Sequence, residues 1–319
     1  MRICNDQQKV GALKLAPLKQ PPFLHSVSGK ESMNTDTTRV SMHDTDCVGC
    51  GQCITNCVPG AITPADAISD MQVAMEQGKT MVAMLAPATR IGIAEGMGMP
   101  IGQSAEAQTI DALRKIGFHY VFDMLWAADL CVLEDAKEIV AARRSGNGPI
   151  FTSCCSGWIS LAEIRYPSVI PQISTARSPS GIMASVVKRK FSQMIDKSPE
   201  DVFTVGMMPC TSKKVEAKFP NLYVDGMPET DASVTTRELL QMFKDAGMEF
   251  TKEKEAVLLA QGNTKADAPF SSASGSAYLF GLSGGVTEAV VRHVFKLYGI
   301  KFNSSLIRTK LLWESPNKL

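Results

Sequence analysis

Short apolar runs alternate with amphipathic segments along most of the chain. The apolar runs predict buried strands, and they are Met81–Leu85, Tyr120–Phe122, Ile150–Phe151 and Val202–Met208. Segments with apolar positions three or four residues apart predict helices. One such segment contains Ile110, Leu113 and Ile116, and the others are Cys131–Arg144, Trp158–Tyr166 and Thr235–Phe243. This alternation predicts an α/β fold with a mostly parallel sheet flanked by helices.

Two glycine-rich segments fall between these elements. Gly96–Pro100 fits neither of the common nucleotide-binding glycine patterns and is predicted to be a loop. Phe280–Ala289 is predicted to be a glycine loop that opens a helix, where the glycines either expose amides to an anion or allow close packing. Close packing is favoured, because no basic residue follows the glycines immediately.

Length and charge limit the possible classes of protein. At 319 residues the chain is long enough for two or three compact units. Its net charge of +1 gives no electrostatic reason to expect nucleic acid or an anionic membrane as a partner. No apolar run approaches the roughly 18 residues that a membrane helix needs. Residues 1–42, with scattered glutamine, proline, serine and threonine, are predicted to form an ill-ordered extension.

Cysteine usage points to metal binding or to catalytic sulfur. Nine cysteines, an odd number in uneven clusters, argue against a disulfide framework, so we expect a reducing, oxygen-poor compartment. The densest cluster is a C-x2-C-x2-C-x3-C array of Cys47, Cys50, Cys53 and Cys57. This spacing favours a 4Fe-4S cluster over zinc, because structural zinc sites usually use cysteine pairs separated by a dozen or more residues.

The array resembles that of bacterial-type ferredoxins, with two departures. The proline that follows the last cysteine is displaced by one residue, in Cys57-Val58-Pro59, and a second array is absent. In two-cluster ferredoxins the fourth cysteine of each array serves the other cluster. Either all four thiols hold one cluster here, or the chain has lost an upstream half.

Two adjacent thiols, Cys154 and Cys155, lie where the apolar run Ile150–Phe151 gives way to a helical pattern. A strand that stops at a turn and feeds a helix leaves its turn residues at the carboxyl edge of a sheet, where ligands bind in α/β proteins. This position favours a chemical role for the pair. The alternative is that both thiols are small buried apolar side chains.

A third thiol, Cys210, follows the strand Val202–Met208 in the same way, with Lys213 and Lys214 close behind it. A cation beside a strand-end cysteine can hold a thiolate or an anionic ligand. The alternative for the two lysines is a solvated turn.

The segments around these thiols, Thr152–Trp158 and Met208–Lys214, resemble the first two signature motifs of the iron-only (iron-iron) hydrogenases almost letter for letter. The cysteine array and four further segments extend this resemblance over residues 43–295. The four segments are Ala83–Thr89, Ala176–Pro179, Thr235–Leu239 and Phe280–Arg292. The resemblance implies a small ferredoxin-like iron-sulfur domain at 43–79, after the extension at 1–42. A two-lobed α/β hydrogenase domain would follow, with lobes at 80–180 and 181–319.

In that family the cleft between the lobes holds the H-cluster, a four-iron cubane joined through a cysteine to a di-iron unit. Carried over by position, the resemblance implies that Cys155 and Cys210 are cubane ligands and that Cys154 is the free thiol that passes a proton to the di-iron unit. Residues that would contact the di-iron unit or line its pocket are Lys213, Met208, Ala86, Pro87, Ser178 and Pro179.

Three acids, Glu134, Asp135 and Glu138, lie within about one helical turn, and the hydroxyl of Ser174 could join them to Cys154 as a proton relay. The alternative is a solvated acidic face with neighbouring basic residues. The resemblance favours Glu138 and Ser174 as relay members. Asp135 is shorter than the glutamate that many relatives have there, so a water would have to fill the gap.

The family's third motif, a C-terminal C-x3-C segment, is missing, because no cysteine follows Cys210. A cubane takes four ligands, of which Cys155 and Cys210 supply two. We therefore expect a chain that is incomplete at its C-terminus and lacks a complete H-cluster.

Two hypotheses about function remain open. The first is a ferredoxin hydrogenase that reversibly reduces protons to hydrogen, with ferredoxin or a similar low-potential carrier and hydrogenase maturation proteins as partners. The second is a non-catalytic iron-sulfur protein for electron transfer, sensing or cluster assembly. The assembly variant is disfavoured, because the family's eukaryotic assembly relatives lack the doubled Cys154–Cys155. Either protein would be soluble, in the cytoplasm or hydrogenosome of an anaerobe.

Overall fold

The structure is a computed structural model that describes residues 46–58, 62–262, 264–299 and 301, together with the backbone of residues 24–26. The strands are β1 Leu24–Ser26, β2 Ile62–Pro64, β3 Thr80–Leu85, β4 Tyr120–Asp123, β5 Val202–Met208, β6 Tyr223–Val224, β7 Met227–Pro228 and β8 Ala232–Thr235.

The first half of the described chain contains six α-helices, α1 Gln52–Thr55, α2 Ile68–Glu76, α3 Pro87–Gly96, α4 Glu106–Lys115, α5 Met124–Arg144 and α6 Ser156–Arg165. The helices of the second half are α7 Pro179–Val186, α8 Ser192–Met194, α9 Ser212–Glu216, α10 Thr236–Asp245, α11 Lys252–Gln261, α12 Gly275–Leu279 and α13 Gly285–Leu297. A π-helical turn, Val187–Phe191, joins α7 to α8, and 3-10 turns occur at Pro167–Gln172, Pro199–Asp201 and Pro220–Leu222.

Four parallel strands form the central sheet in the order β4-β3-β5-β8. The predicted parallel α/β fold is therefore confirmed. The strand order reverses between β3 and β5, since β4 follows on one side and β8 on the other. In α/β proteins a crevice forms at such a reversal, beyond the carboxyl ends of the strands. The sheet joins strands from both sides of residue 180.

Strand β3 is buried on both faces, which explains its unbroken apolar run. Ala83 and Leu85 face a core that also contains side chains of α2, α3, α4 and α10. Val82 and Met84 face the opposite core, formed with α5 and α7. Helices therefore cover both sides of the sheet, as the alternation of apolar runs and helical patterns predicts.

Most predicted elements occur where the sequence indicates them, but the predicted strand Ile150–Phe151 is wrong. Phe151 makes one isolated parallel bridge to Ile173 rather than a ladder. Its N–H donates to Gln172 O (2.8 Å), and its carbonyl accepts from Ser174 N (2.8 Å). The apolar run is short and follows Pro149, which has no N–H for a ladder. The bridge nevertheless fixes the segment that leads to the two adjacent thiols.

The N-terminal extension is partly ordered. Strand β1 pairs antiparallel with β2, with Leu24 opposite Pro64 and Ser26 opposite Ile62. Three residues of the segment predicted to be ill-ordered thus form a strand, because β2 offers an edge for pairing. The rest of residues 1–42 lies outside the described residues. Within the described part of the chain, no helix is long and apolar enough to cross a lipid bilayer.

The N-terminus of α4 is capped by a side chain from another helix. The backbone amides of Ala107 and Gln108 donate to the Glu255 carboxylate (2.9 and 3.0 Å), and the Gln108 side-chain amide donates to it as well (3.2 Å). Glu255 belongs to α11 and is buried. It therefore neutralises the positive end of the α4 dipole and ties two helices together.

We predict that Glu255→Ala lowers the free energy of unfolding by about 2 kcal/mol, because two buried helix-terminal amides lose their acceptor. Equilibrium unfolding in urea measures the change. The control is Glu253→Ala, which removes an exposed carboxylate from the same helix and should cost less than about 0.5 kcal/mol. Equal losses for the two variants would contradict the capping role.

Candidate functional site

The carboxyl ends of β3 and β5 lie side by side and are tied together. Leu85 pairs with Met207. The Ala86 N–H (3.1 Å) and the Thr89 hydroxyl (3.0 Å) both donate to Met207 O. Ala86 is the N-cap of α3 and Pro87 its first residue, a position where the missing N–H of proline costs nothing. Both residues predicted to line the pocket therefore lie at the same sheet edge as the segment that carries Cys210.

Cys155 and Cys210 are connected through Ser212. Cys155 is exposed and is the N-cap of α6, and the hydroxyl of the next residue, Ser156, donates to Ser212 O (3.1 Å). The Cys210 thiol is 3.1 Å from the Ser212 hydroxyl. The segments that carry the two predicted cubane ligands, the start of α6 and the turn after β5, are thus joined by hydrogen bonds at Ser212.

The cysteine array packs directly against the residues that follow Cys210. The Thr211 hydroxyl donates to Gly49 O (2.8 Å). Gly49 and Gly51 have φ of +67° and +75°, which favour glycine, and a Cβ on Gly51 would collide with the Thr211 hydroxyl. A Cβ on Gly49 would come within 2.8 Å of Val215 Cγ2. The array therefore depends on glycine both for its turns and for its contact with α9.

Cys47 and Cys50 of the array precede α1, Cys53 lies in this helix, and Cys57 follows its C-cap, Asn56. Cys47, Cys53 and Cys57 are half-buried, and Cys50 is exposed. The Gly49 N–H donates to Cys47 Sγ (3.5 Å). Burial raises the pKa of the Cys47 thiol, and this N–H opposes the rise. Amide donation to sulfur is how proteins stabilise cluster thiolates.

The donor sets fit the two expected iron sites differently. Among the described residues, no three cysteine, histidine, aspartate or glutamate side chains converge closely enough to hold a metal ion. The array nevertheless supplies the four thiols that one 4Fe-4S cluster takes, on a loop with an amide aimed at sulfur. At the sheet edge, Cys155 and Cys210 supply two thiols for a cubane that takes four. The residues fit the first cluster and do not complete the second.

A cavity of about 190 Å³ separates the array from the end of β5. Its lining includes Cys50, Cys210 and Arg237. Cys50 of the array and Cys210 thus line the same cavity.

Lys213 is held in place by two groups. Its Nζ donates to Cys154 O (3.1 Å) and pairs with the Glu216 carboxylate. Glu216 is buried and also accepts from the hydroxyls of Ser178 and Ser180. The ammonium group is therefore fixed beside the doubled thiols, and the alternative of a solvated turn is wrong for it.

Lys214 has a different set of partners. It is buried and donates to Ala65 O (2.9 Å) and to Glu238 Oε1 (3.0 Å). Burial lowers the pKa of Lys214, and the Glu238 charge opposes this shift. Lys214 therefore joins the segment after β2 to helix α10, and the solvated turn is wrong for this lysine as well.

The other residues predicted to line the pocket lie on buried elements. Met208 is packed in the apolar cluster that contains Ala86. It also packs closely on Gly206, since a Cβ added to this glycine would lie only 2.8 Å from Met208 Cε. Ser178 is the N-cap of α7, where its hydroxyl accepts from Gly181 N (3.1 Å), and Pro179 is the first residue of that helix. Ser178 reaches Lys213 through their shared carboxylate, Glu216.

Two of the predicted relay residues, Ser174 and Asp135, form a pair, whereas Glu138 pairs with Thr175. The Ser174 hydroxyl donates to Asp135 Oδ1 (2.6 Å), and both residues are buried. Glu138 accepts from the N–H of Thr175 (3.0 Å) and from its hydroxyl. Glu134 is exposed and pairs with a lysine one turn away. The acidic face is therefore solvated at Glu134 and buried at Asp135.

The thiols of Cys154 and Cys131 lie close enough to the Asp135 carboxyl group for its charge to shift their pKa values. Burial raises the pKa of Cys154 to about 11, Lys213 opposes the rise, and Asp135 adds to it. Burial also raises the pKa of Cys131, to which Asp135 and then Cys154 contribute. Burial raises the pKa of Asp135 itself, while the bonds from Ser174 and Cys131 oppose this. Cys131, Thr175 and Glu216 are site residues that the sequence reasoning missed.

The fold and the site define an α/β protein in which hydrogen bonds join a cysteine array and the segment of Cys155 to the segment of Cys210, at the carboxyl edge of a parallel sheet. The profile of the family described as "Iron only hydrogenase large subunit, C-terminal domain" matches residues 79–311, well over half of the chain. The chain therefore belongs to the iron-only hydrogenase large-subunit family, as the motifs in its sequence predict.

Relatives of two kinds resemble the chain. Iron hydrogenase 1 of Clostridium pasteurianum is 39% identical over 216 residues, which cover 67% of this chain and 36% of the relative. The periplasmic Fe hydrogenase large subunit of Nitratidesulfovibrio vulgaris is 36% identical, with coverage of 72% and 53%. Cytosolic iron-sulfur assembly component 3 of Mus musculus is 31% identical, with coverage of 83% and 57%.

Solved hydrogenase structures also resemble the chain. A variant of the FeFe-hydrogenase of Chlamydomonas reinhardtii superimposes with a TM-score of 0.60 at 33% identity, covering 72% of this chain and 57% of the other. The chain spans between about a third and somewhat over half of the length of the three curated relatives.

We predict that Asp135→Asn removes a pH-dependent loss of stability. Because the folded-state pKa of Asp135 is raised, its contribution to stability is fully present below the unfolded value of about 3.9 and is lost as pH rises through the folded value. The variant should therefore gain stability relative to the parent as pH rises above about 4, measured by urea unfolding across pH. A stability difference between variant and parent that does not change with pH would contradict the prediction.

We also predict that Thr211→Val weakens the contact between the array and α9, because the Gly49 carbonyl loses its donor. The free energy of unfolding should fall by about 1 kcal/mol. The array thiols should also react faster with a maleimide in the folded protein. Thr55→Val is the control, since it removes an exposed hydroxyl within the array; an equal effect there would contradict the prediction.

Proposed function

We propose that this chain is part of a hydrogenase-type oxidoreductase that interconverts protons and molecular hydrogen, with electrons from ferredoxin or a similar low-potential carrier. One observation carries the proposal. The array, Cys155 and Cys210 meet at one edge of the sheet through the Thr211–Gly49 and Ser156–Ser212 bonds. An electron entry site beside an active-site cleft requires this proximity.

The array would hold one 4Fe-4S cluster, ligated by Cys47, Cys50, Cys53 and Cys57. When bound, that cluster supplies one-electron transfer at low potential. The protein contributes the glycine turns that bring amides to sulfur and the Thr211 bond that fixes the loop.

The second site is incomplete in this chain. Cys155 and Cys210 would be two ligands of the H-cluster cubane, and the donor set needs two more. We therefore derive no chemical step through that group. The assignment of Met208, Lys213, Ala86, Pro87, Ser178 and Pro179 to the surrounding pocket remains a proposal. It is supported by their positions at the sheet edge and around the Lys213–Glu216 pair.

Proton transfer would use the groups on α5 and on the segment after the Phe151 bridge. Glu138 is half-buried and would exchange protons with solvent. The bonded Ser174–Asp135 pair would lead inward toward the Cys154 thiol. Lys213 would fix the backbone of Cys154 through its carbonyl. These roles are supported by the burial of Asp135 and Ser174 away from bulk water.

A second candidate function is a non-catalytic iron-sulfur protein for electron transfer, sensing or cluster assembly. It is favoured by the two-thiol donor set at the sheet edge and by the similarity to an iron-sulfur assembly component over 83% of the chain. Maturation proteins would be partners of the first candidate. The cytoplasm or hydrogenosome of an anaerobe remains our proposed location.

We predict that the chain, reconstituted with iron and sulfide without oxygen, holds about four irons on the array. Cys53→Ser should lose this iron, and Cys4→Ser, outside the array, should keep it. Iron analysis and electron paramagnetic resonance after reduction by reduced ferredoxin measure the outcome. A loaded array that ferredoxin cannot reduce would contradict the electron-transfer role.

With a di-iron mimic added, we expect no hydrogen from reduced viologen, because the cleft lacks two thiolates for the cubane. Gas chromatography measures the product. Robust turnover would refute the incompleteness of the site and exclude the non-catalytic alternative. The infrared bands of the carbon monoxide and cyanide ligands measure how much of the di-iron mimic the protein retains. This amount distinguishes the hydrogenase from the non-catalytic iron-sulfur protein. A hydrogenase-type cleft should retain the mimic more weakly after Lys213→Ala.

A further inference from the structure

Cys131 is a buried thiol that none of the proposed roles uses. It lies on α5, has no solvent exposure, and precedes Asp135 by four residues. Residues four apart on a helix lie on the same face, one turn apart. The Cys131 thiol donates to Asp135 Oδ2, with Sγ and oxygen 3.7 Å apart.

The other oxygen of the same carboxyl group is held by Ser174. The Ser174 hydroxyl accepts from Ala176 N (3.1 Å) and donates to Asp135 Oδ1 (2.6 Å). Because the Ala176 amide occupies the acceptor side of the hydroxyl, its proton is directed at Asp135. Each carboxyl oxygen therefore has one donor, from a different part of the chain.

Among the residues that the structure describes, no cation forms an ion pair with Asp135. It is 1% exposed, and among the ion pairs of the described residues none involves it. Cys131 and Ser174 are thus its hydrogen-bond donors inside the protein. The charged and titratable groups that influence this unit are Glu138 on the same helix and Cys154 and Lys213 from outside it.

The raised pKa of Cys131 keeps its sulfur protonated at neutral pH. The thiol is therefore a permanent donor rather than a second negative charge beside the carboxyl group. A buried carboxylate with one unpartnered oxygen would be free to rotate and would favour its neutral form.

We propose that Cys131 is a positioning residue for Asp135, whose S–H holds Oδ2 while Ser174 holds Oδ1. The pair of donors orients the carboxyl group between the Glu138–Thr175 pair and Cys154. The consequence for proton transfer rests on the proposed function. The orientation of the carboxyl group does not, because it is a property of the protein without its clusters.

The test is an infrared pH titration of the cluster-free chain, in which Asp135→Asn identifies the carboxyl band. Cys131→Ala should raise the pKa of Asp135 by about one unit, because the charged form loses a donor. Cys131→Ser should restore the parent value. An unchanged band and pKa in Cys131→Ala, or a failure of Cys131→Ser to restore them, would overturn the proposal.

Val132→Ala is the matched control, since it removes buried volume from the adjacent position of α5 but no hydrogen-bond donor to Asp135. It should lower the melting temperature and leave the pKa of Asp135 unchanged. An equal pKa shift in Val132→Ala would reduce Cys131 to a packing residue. If Cys131→Ala does not fold, Cys131→Val replaces it, with similar bulk and no donor. A loss of ferredoxin reduction or of array iron would refute the proposed function without affecting this result.

Discussion

The pairing of β3 with β5 is the constraint on which the site depends. These two strands run parallel with Leu85 opposite Met207, so they end together and their following turns meet. The N-cap of α3 and the segment of Cys210 therefore share one edge. Because side chains alternate along a strand, a register shift of one residue would turn Met208 out of its apolar core. The same pairing separates the two cores, so the site inherits its rigidity from packing on both faces of the sheet.

The parts of the fold that were predictable are those encoded locally. Val202–Met208 is buried along its whole length, and its unbroken apolar run reports that directly. The start of α10 is a capping box in which Thr235 and Glu238 satisfy each other's backbone groups, a pattern visible within four residues. The cysteine array and the doubled thiols were equally visible, because their chemistry lies in spacing. Close packing of the glycine loop Phe280–Ala289 is also predictable from the sequence, and at Gly285 the structure agrees, because a Cβ there would collide with Leu279 O.

The parts that were missed depend on residues distant in sequence. Glu216 joins Lys213 to Ser178, a partner 38 residues away, and no local pattern signals that contact. Lys214 is buried against Ala65, which lies 149 residues earlier, although the sequence around it reads as a solvated turn. The Ile150–Phe151 run was read as a strand because apolar pattern and length cannot distinguish one bridge from a ladder. Cys131 could have been found, since its spacing of four from Asp135 places both on one helix face.

The bond between Thr211 and Gly49 also bears on how the protein assembles. Its two residues are 162 positions apart, so the contact closes a long loop, which costs conformational entropy. Pairing of β3 with β5 shortens that loop, because it brings residues 85 and 207 together. We therefore expect the array to dock after these strands have paired, and its thiols would remain open to iron and sulfide until then.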